Sequence, residues 1–186
     1  MANYKMIPTL GFSEAVEKAS KRLLDFNGRS RRSEFWWWML VVLILNIVMS
    51  QLLKANVWAN MLTSIAVMFL GLSVTARRLQ DTGKSAWFVY VSYGLGILTT
   101  LYIPYSGYNE ILQEVAQKSS SAGEKLLEQY MDVFAVVGTL TMLWMISCLV
   151  VVIFCCMDGT KEPNKYGKSP KYIMEESVAG DFEEVM

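Results

Sequence analysis

Four stretches of this chain carry no Asp, Glu, Lys or Arg: residues 35–53, 55–76, 85–109 and 133–157. A hydrocarbon core about 30 Å thick needs roughly 20 helical residues at about 1.5 Å each, and each stretch is long enough to cross it. Helices in a soluble core would be shorter and would show charged faces. A transmembrane barrel would need many alternating segments of about ten residues, which these continuous runs do not supply. The runs predict an all-α fold, an integral membrane four-helix bundle with spans at 35–53, 57–75, 86–104 and 133–156. At 53% hydrophobic and 18% charged residues, the chain is too apolar for an ordinary soluble domain. No apolar signal-peptide core precedes residue 35, so the first run is expected to act as an uncleaved insertion signal.

Residues 1–34 form a polar N-terminal segment, 35–157 the membrane domain and 158–186 a polar tail. Within the first segment, Phe12, Val16, Ala19, Leu23 and Phe26 recur at helical spacing. Glu14, Lys18, Lys21, Arg22 and Asp25 fall on the opposite face. This pattern predicts an N-terminal amphipathic interfacial helix over 12–27, with Glu14–Lys18 and Glu17–Lys21 pairs and Ser13 as its cap. It would lie on the membrane surface or pack across the end of the bundle. Asn27-Gly28 signals a turn before the first span, and Lys54 sits in a tight connection between the first two. The longer connection 105–132 is broken at Ser119-Ser120-Ser121-Ala122-Gly123 and reads as two short interfacial helical pieces. The last twelve residues are rich in acid and are expected to be disordered.

The distribution of cations gives an orientation. With four spans, fourteen of the 17 Lys and Arg fall on the side of the two termini and three (Lys54, Lys118 and Lys125) on the other. The positive-inside rule then places both termini in the cytoplasm. Trp36, Trp37, Trp38 and Trp87 would mark the inner interface, and Trp58, Tyr102 and Tyr105 the outer one. Trp144 falls in the middle of the fourth span and is expected to pack on a neighbouring helix.

The chain has no histidine, which removes the commonest general base and metal ligand. Cys148, Cys155 and Cys156 lie in one apolar run without metal-site spacing, and read as packing thiols. No catalytic residue, metal site or cofactor is expected.

Two polar blocks stand out: Gly28-Arg29-Ser30-Arg31-Arg32-Ser33-Glu34-Phe35-Trp36 and Arg77-Arg78-Leu79-Gln80-Asp81-Thr82-Gly83-Lys84-Ser85-Ala86-Trp87. With Asn164-Lys165-Tyr166-Gly167-Lys168-Ser169-Pro170 in the tail, their order and spacing over residues 22–170 resemble the domain-of-unknown-function 805 family of small bacterial inner-membrane proteins. That resemblance implies a membrane location and a four-span topology, and it supplies no activity. Gln80 stands where the family usually has histidine, so a role needing an imidazole would be absent or altered here. Gly83-Lys84-Ser85 looks like the end of a phosphate-binding loop, but Arg78 stands where that loop needs its first glycine, and the flanks are spans. Asp81-Thr82-Gly83 reads as a turn, with Asp81 or Thr82 capping the third span.

The arginines admit two readings. One is topology, lipid contact and fold locking, with cations meeting anionic headgroups. The other is a cytoplasmic charge network of Arg29, Arg31, Arg32, Glu34, Arg77, Arg78, Asp81 and Asp158 that fixes the bundle or binds an anionic ligand. Within the spans, Asn46, Ser50, Asn60, Ser64, Gly71, Ser92, Gly96 and Thr100 are placed to let helices approach and hydrogen-bond; a polar pathway is the functional alternative. The spans contain no ionisable residue, which weighs against ion-coupled transport. The expected function is that of a multi-pass bacterial inner-membrane protein acting as a structural or interaction protein through a basic cytoplasmic face. The alternative is a small transporter or channel subunit for a neutral or anionic solute. Expected partners are membrane lipids with anionic headgroups and a membrane protein or second copy, with no nucleic acid.

Overall fold

The computed structural model describes residues 4–118 and 120–174. It is an all-α membrane bundle. Four helices are long and apolar enough to cross a bilayer: α2 (Arg32–Leu52), α3 (Val57–Asp81), α4 (Trp87–Tyr105) and α7 (Met131–Cys156). The shorter helices are α1 (Phe12–Ser20), α5 (Tyr108–Gln117) and α6 (Ser120–Gln129). Two helical pieces are present as expected, but Ser120, Ser121, Ala122 and Gly123 of the expected break belong to the start of α6; Ser119 and the acidic end of the tail lie outside the described residues.

Side chains at the lipid-facing positions of α7, such as Met142, Met145 and Leu149, are exposed, as a span requires of its outer surface. The core runs from Trp38 and Val42 of α2 through Val67, Val74 and Leu79 of α3 to Val89 of α4 and Val151 and Cys155 of α7. The helices pack in sequence: α2 on α3, α3 on α4, α4 on α7. Helix α2 also carries α1 and has no comparable contact with α4 or α7.

Three differences from the expected elements have physical causes. Helix α1 ends at Ser20 rather than continuing to residue 27. Beyond it the chain forms a non-helical turn whose Arg22 and Asp25 carbonyls accept from Arg77 Nη1 at 2.5 and 2.7 Å. The N-cap of α1 is Gly11, so Ser13 lies inside the helix and does not cap it. Helix α3 does not stop at residue 75 but runs six residues further to Asp81, because its basic last turn is buried against other segments instead of meeting water. The turn to α4 is consequently 82–85, with Gly83 at φ +77°. Neither Asp81 nor Thr82 caps α4: its N-cap is Ala86, and Thr82 Oγ1 donates back to Leu79 O.

A two-stranded antiparallel pairing joins the two ends of the described chain. β1 (Tyr4–Met6) pairs with β2 (Tyr172–Met174), Lys5 opposite Ile173. Trp36, Trp37, Trp58, Trp87 and Tyr105 are exposed at helix ends, whereas Trp38 turns inward and donates from Nε1 to Leu70 O at 2.8 Å. Trp144 lies against α4 at Gly96, where an added Cβ would sit 2.8 Å from its Nε1.

Candidate functional site: a buried arginine cage

The end of the bundle that carries the terminal segments is here called the basic end. Its centre is the last turn and a half of α3. Arg77 and Arg78 are 0% and 1% exposed, on an element whose neighbours supply both carboxylates and free carbonyls. A buried guanidinium is tolerated only when its charge and its fork of donors are both met.

Arg78 is met on three sides. Nη1 donates to Asp81 Oδ2 at 2.6 Å, Nε to Cys155 O at 3.0 Å, and Nη2 to Met157 O. The two carbonyls belong to the C-terminal end of α7, whose last carbonyls lack partners within the helix. Arg78 thus staples α3 to the end of α7.

Asp81 takes a second arginine on its other oxygen. Arg29 Nε donates to Oδ1 at 2.7 Å. The remaining donors of Arg29 reach into the tail, to Glu162 O at 3.0 Å, Gly167 O at 3.3 Å and Thr160 O. The tail is held here by further contacts: Thr160 N donates to Asp81 O at 3.0 Å, and Asn164 Nδ2 to Gln80 O at 3.0 Å. Gly159 passes so close to the Asp81 carboxylate that a Cβ would collide with it.

Arg77 faces the other way. Besides the carbonyls of Arg22 and Asp25, it pairs through Nη2 with Glu34 Oε1 at 3.3 Å. Glu34 is fully buried, and Lys18 of α1 approaches its other oxygen at 3.7 Å. Gln80 Nε2 donates to Phe26 O at 3.0 Å, a further tie to the N-terminal segment. Five buried atoms of this region make no hydrogen bond within the described chain: Ser30 Oγ, Ser33 Oγ, Glu34 Oε2, Arg77 Nε and Gln80 Oε1.

The eight residues of the expected network divide into four groups. Arg29, Arg78 and Asp81 form one buried triad, and Arg77 with Glu34 a second, adjoining pair. Arg31 is buried but bonds elsewhere, donating to Pro8 O at 2.5 Å. Arg32 and Asp158 meet at 3.2 Å on the exposed rim, where Asp158 also accepts from Lys171 Nζ at 2.8 Å. The Lys171 ammonium, and after it Arg32, holds the Asp158 carboxyl below the ordinary carboxylate range. Lys171 is raised by the same bond. Arg22 does likewise to Asp25, lowering its carboxyl through a side-chain hydrogen bond.

Sequence reasoning missed Lys18, Gln80, Asn164 and the recipient carbonyls. Gln80 and Asn164 left a signal, as members of the second polar block and of the tail motif. A backbone carbonyl leaves none, since every residue has one.

The residues picked for helix packing also divide. Gly71 and Gly96 lie at close helix contacts, where a Cβ would meet Tyr93 Oη at 2.8 Å or Met68 Cε at 2.7 Å. Ser50 bonds within its own helix, to Ile47 O. Ser92 is buried between α4 and α7, where its Oγ accepts from Ser147 Oγ at 3.2 Å and lies 3.3 Å from Cys148 Sγ, and Thr100 donates within its own helix to Gly96 O at 2.8 Å. With Asn46, Asn60 and Ser64 they line a cavity of about 480 Å³ between α2, α3, α4 and α7. Among the described residues, no three His, Cys, Asp or Glu come together as metal ligands.

The inner membrane protein YhaH of Escherichia coli K12 is 25% identical to this chain over 162 residues, covering 83% of the chain and 93% of YhaH. The inner membrane protein YhaI of the same strain is 24% identical over 157 residues, covering 82% and 91%. No solved structure matches significantly. A family model described as protein of unknown function (DUF805) matches residues 23–168, a span that contains both arginine blocks, all four long helices and the tail segment held by Arg29. This chain is a multi-pass inner-membrane protein, and it belongs to the DUF805 family.

Proposed function

We propose that the protein is an inner-membrane scaffold that works by contact rather than by catalysis, through a rigid basic face turned to the cytoplasm. The observation that carries this reading is how the cations are divided. Arg29, Arg77 and Arg78 give their donors to the chain's own carboxylates and carbonyls, and their burial leaves no open seat for an anion. The cations left exposed on the basic end are Lys5, Lys21, Arg32, Lys161, Lys165 and Lys168. Apart from Arg32, the exposed cations are lysines, hydrated point charges, while the planar fork of arginine serves the buried bonds. A platform held by buried ion pairs and rimmed by lysines suits an anionic lipid surface or an acidic protein segment.

Orientation belongs to the same reading. The fourteen-to-three excess of Lys and Arg on the side of the termini favours a cytoplasmic basic end. No reaction is assigned to the cage, since the chain has no histidine and both buried carboxylates face guanidinium groups.

Chemical crosslinking in native membranes, followed by purification and mass spectrometry of bound protein and lipid, tests the proposal. The parent is compared with a variant carrying Lys161→Glu, Lys165→Glu and Lys168→Glu, which leaves the cage intact. The expected result is loss of a specific protein or of anionic lipid enrichment in the variant. An unchanged set of co-purifying molecules would rule out the lysine rim as the working surface.

A further inference from the structure

The membrane half of the molecule away from the cage contains the cavity of about 480 Å³, within the range that holds small ligands. Its lining changes character with depth. Asn46, Asn60, Ser64 and Asn109 stand near the end of the bundle opposite the cage. By helix rise, Asn60 is about 5 Å from the start of α3, and Asn46 about 9 Å from the end of α2. Deeper in, the wall is Met39, Val67, Met68 and Trp144. The floor is closed where Met39 Sδ and Tyr93 Oη converge on Gly71, with Tyr93 Oη 3.4 Å from Thr75 Oγ1.

Two features say that this is more than loose packing. The side chains of Asn46, Asn60, Ser64 and Asn109 make no hydrogen bond to any described residue, although polar groups at membrane depth ordinarily find partners across helices. Each carboxamide offers two donors and one acceptor. Second, no Asp, Glu, Lys or Arg lines the cavity, so a charged occupant would lose its hydration without a counter-charge. Because α2 lacks close contact with α4 and α7, the cavity is not sealed between helices on that side.

We propose that this cavity is a binding site for an uncharged amphiphile of the bilayer. The occupant carries hydroxyl or carbonyl groups at one end, paired with the asparagines, and a hydrocarbon chain directed inward between α2 and α4. Its polar end sits at the far interface and its chain points to the bilayer centre, the orientation a lipid of that leaflet already has. Entry is sideways, past α2. The proposal does not depend on the scaffold reading, since cavity and lysine rim are at opposite ends.

The test uses the full chain in lipid nanodiscs with a monoacylglycerol bearing a diazirine on its acyl chain. A lysophosphatidic acid with the same labelled chain is the charged control. Peptide mapping after illumination should find the monoacylglycerol on Met39, Met68 or Trp144, displaced by excess unlabelled monoolein, with the charged probe confined to outward-facing residues. Asn46→Leu with Asn60→Leu should weaken saturable labelling by about tenfold or more, the scale of one lost hydrogen bond to a buried partner. If that variant fails to fold, Val67→Phe, which fills the wall with an apolar side chain, should abolish the same labelling. Absence of cavity labelling, labelling that excess monoolein does not displace, or equal labelling by both probes would overturn the proposal.

Discussion

Arg29 and Asp81 lie 52 positions apart and meet with Nε donating to Oδ1 at 2.7 Å, their side chains 1% and 3% exposed. Arg78 binds the other oxygen of the same carboxylate, so one acid organises two cations from two segments. Its removal leaves both without their counter-charge, whereas each arginine keeps some carbonyl partners if the other is lost. Asp81→Asn is therefore expected to be the most damaging conservative change in the cage, at about 3–5 kcal/mol. Arg29→Lys and Arg78→Lys should also destabilise, because an ammonium cannot copy the spread of a guanidinium over a carboxylate and two or more carbonyls. Thermal unfolding in detergent micelles checks the order, and Arg32→Lys on the exposed rim is the control expected to change little.

Gly159 is fixed by proximity to that carboxylate, and not by helix geometry. Gly159→Ala should cost about 1–3 kcal/mol through overpacking against Asp81. Gly94→Ala in α4 and Gly138→Ala in α7 meet nothing within 4 Å. They should be neutral or gain up to about 1 kcal/mol from helix propensity. Equal loss in all three would show that glycine is needed for some reason other than the Asp81 contact.

The pairing of the two terminal strands should depend on pH through Asp158 and Lys171. Asp158 is depressed in the folded state, so its contribution is present above the ordinary carboxylate value and is lost as pH falls through the lower folded one. Lys171 is raised, so its contribution holds below the ordinary lysine value and is lost as pH rises past the folded one. Between these limits the tie is constant, and at the exposed rim it is worth only about 0–1 kcal/mol. The protection factor of the Ile7 amide against hydrogen exchange, corrected for the intrinsic pH dependence of exchange, should fall on acidification, since this amide donates to Lys171 O at 2.9 Å. Asp158→Asn should show the lower protection already at neutral pH.

Trp38 and its neighbours should separate. Trp38→Phe removes the bond to Leu70 O and should cost about 0.5–1.5 kcal/mol. Trp37→Phe, at an exposed position, should leave the melting temperature nearly unchanged. A similar loss at both would mean that the triplet acts as an interfacial belt without a core member.

The four long helices were legible because a bilayer imposes a length and forbids unpaired charge, and both constraints can be read one segment at a time. The end of α3 was not legible for the same reason. Arg77 and Arg78 read as the point where a span must leave the membrane, while the structure extends the helix by burying them against segments more than forty positions away. The partition of the arginines into inward bonds and a lysine rim needs three-dimensional burial, since composition treats all seventeen cations alike. The strands Tyr4–Met6 and Tyr172–Met174 are too short to show a period, and each is defined only by the other. The cavity was half visible: Asn46, Asn60 and Ser64 could be picked as polar residues in apolar runs, but only the helix positions decide whether such residues pair or face a space.

The cage also has an order of completion. Arg29, Arg78 and their shared partner Asp81 are made early, yet the carbonyls that complete their bonding, from Cys155 at the end of the last long helix to Gly167 in the tail, leave the ribosome last. Until then two cations stand with open donors at the membrane boundary. A chain that stopped after α7 would lack the Thr160, Glu162 and Gly167 carbonyls that Arg29 uses, so the cage closes only when the tail folds back onto it.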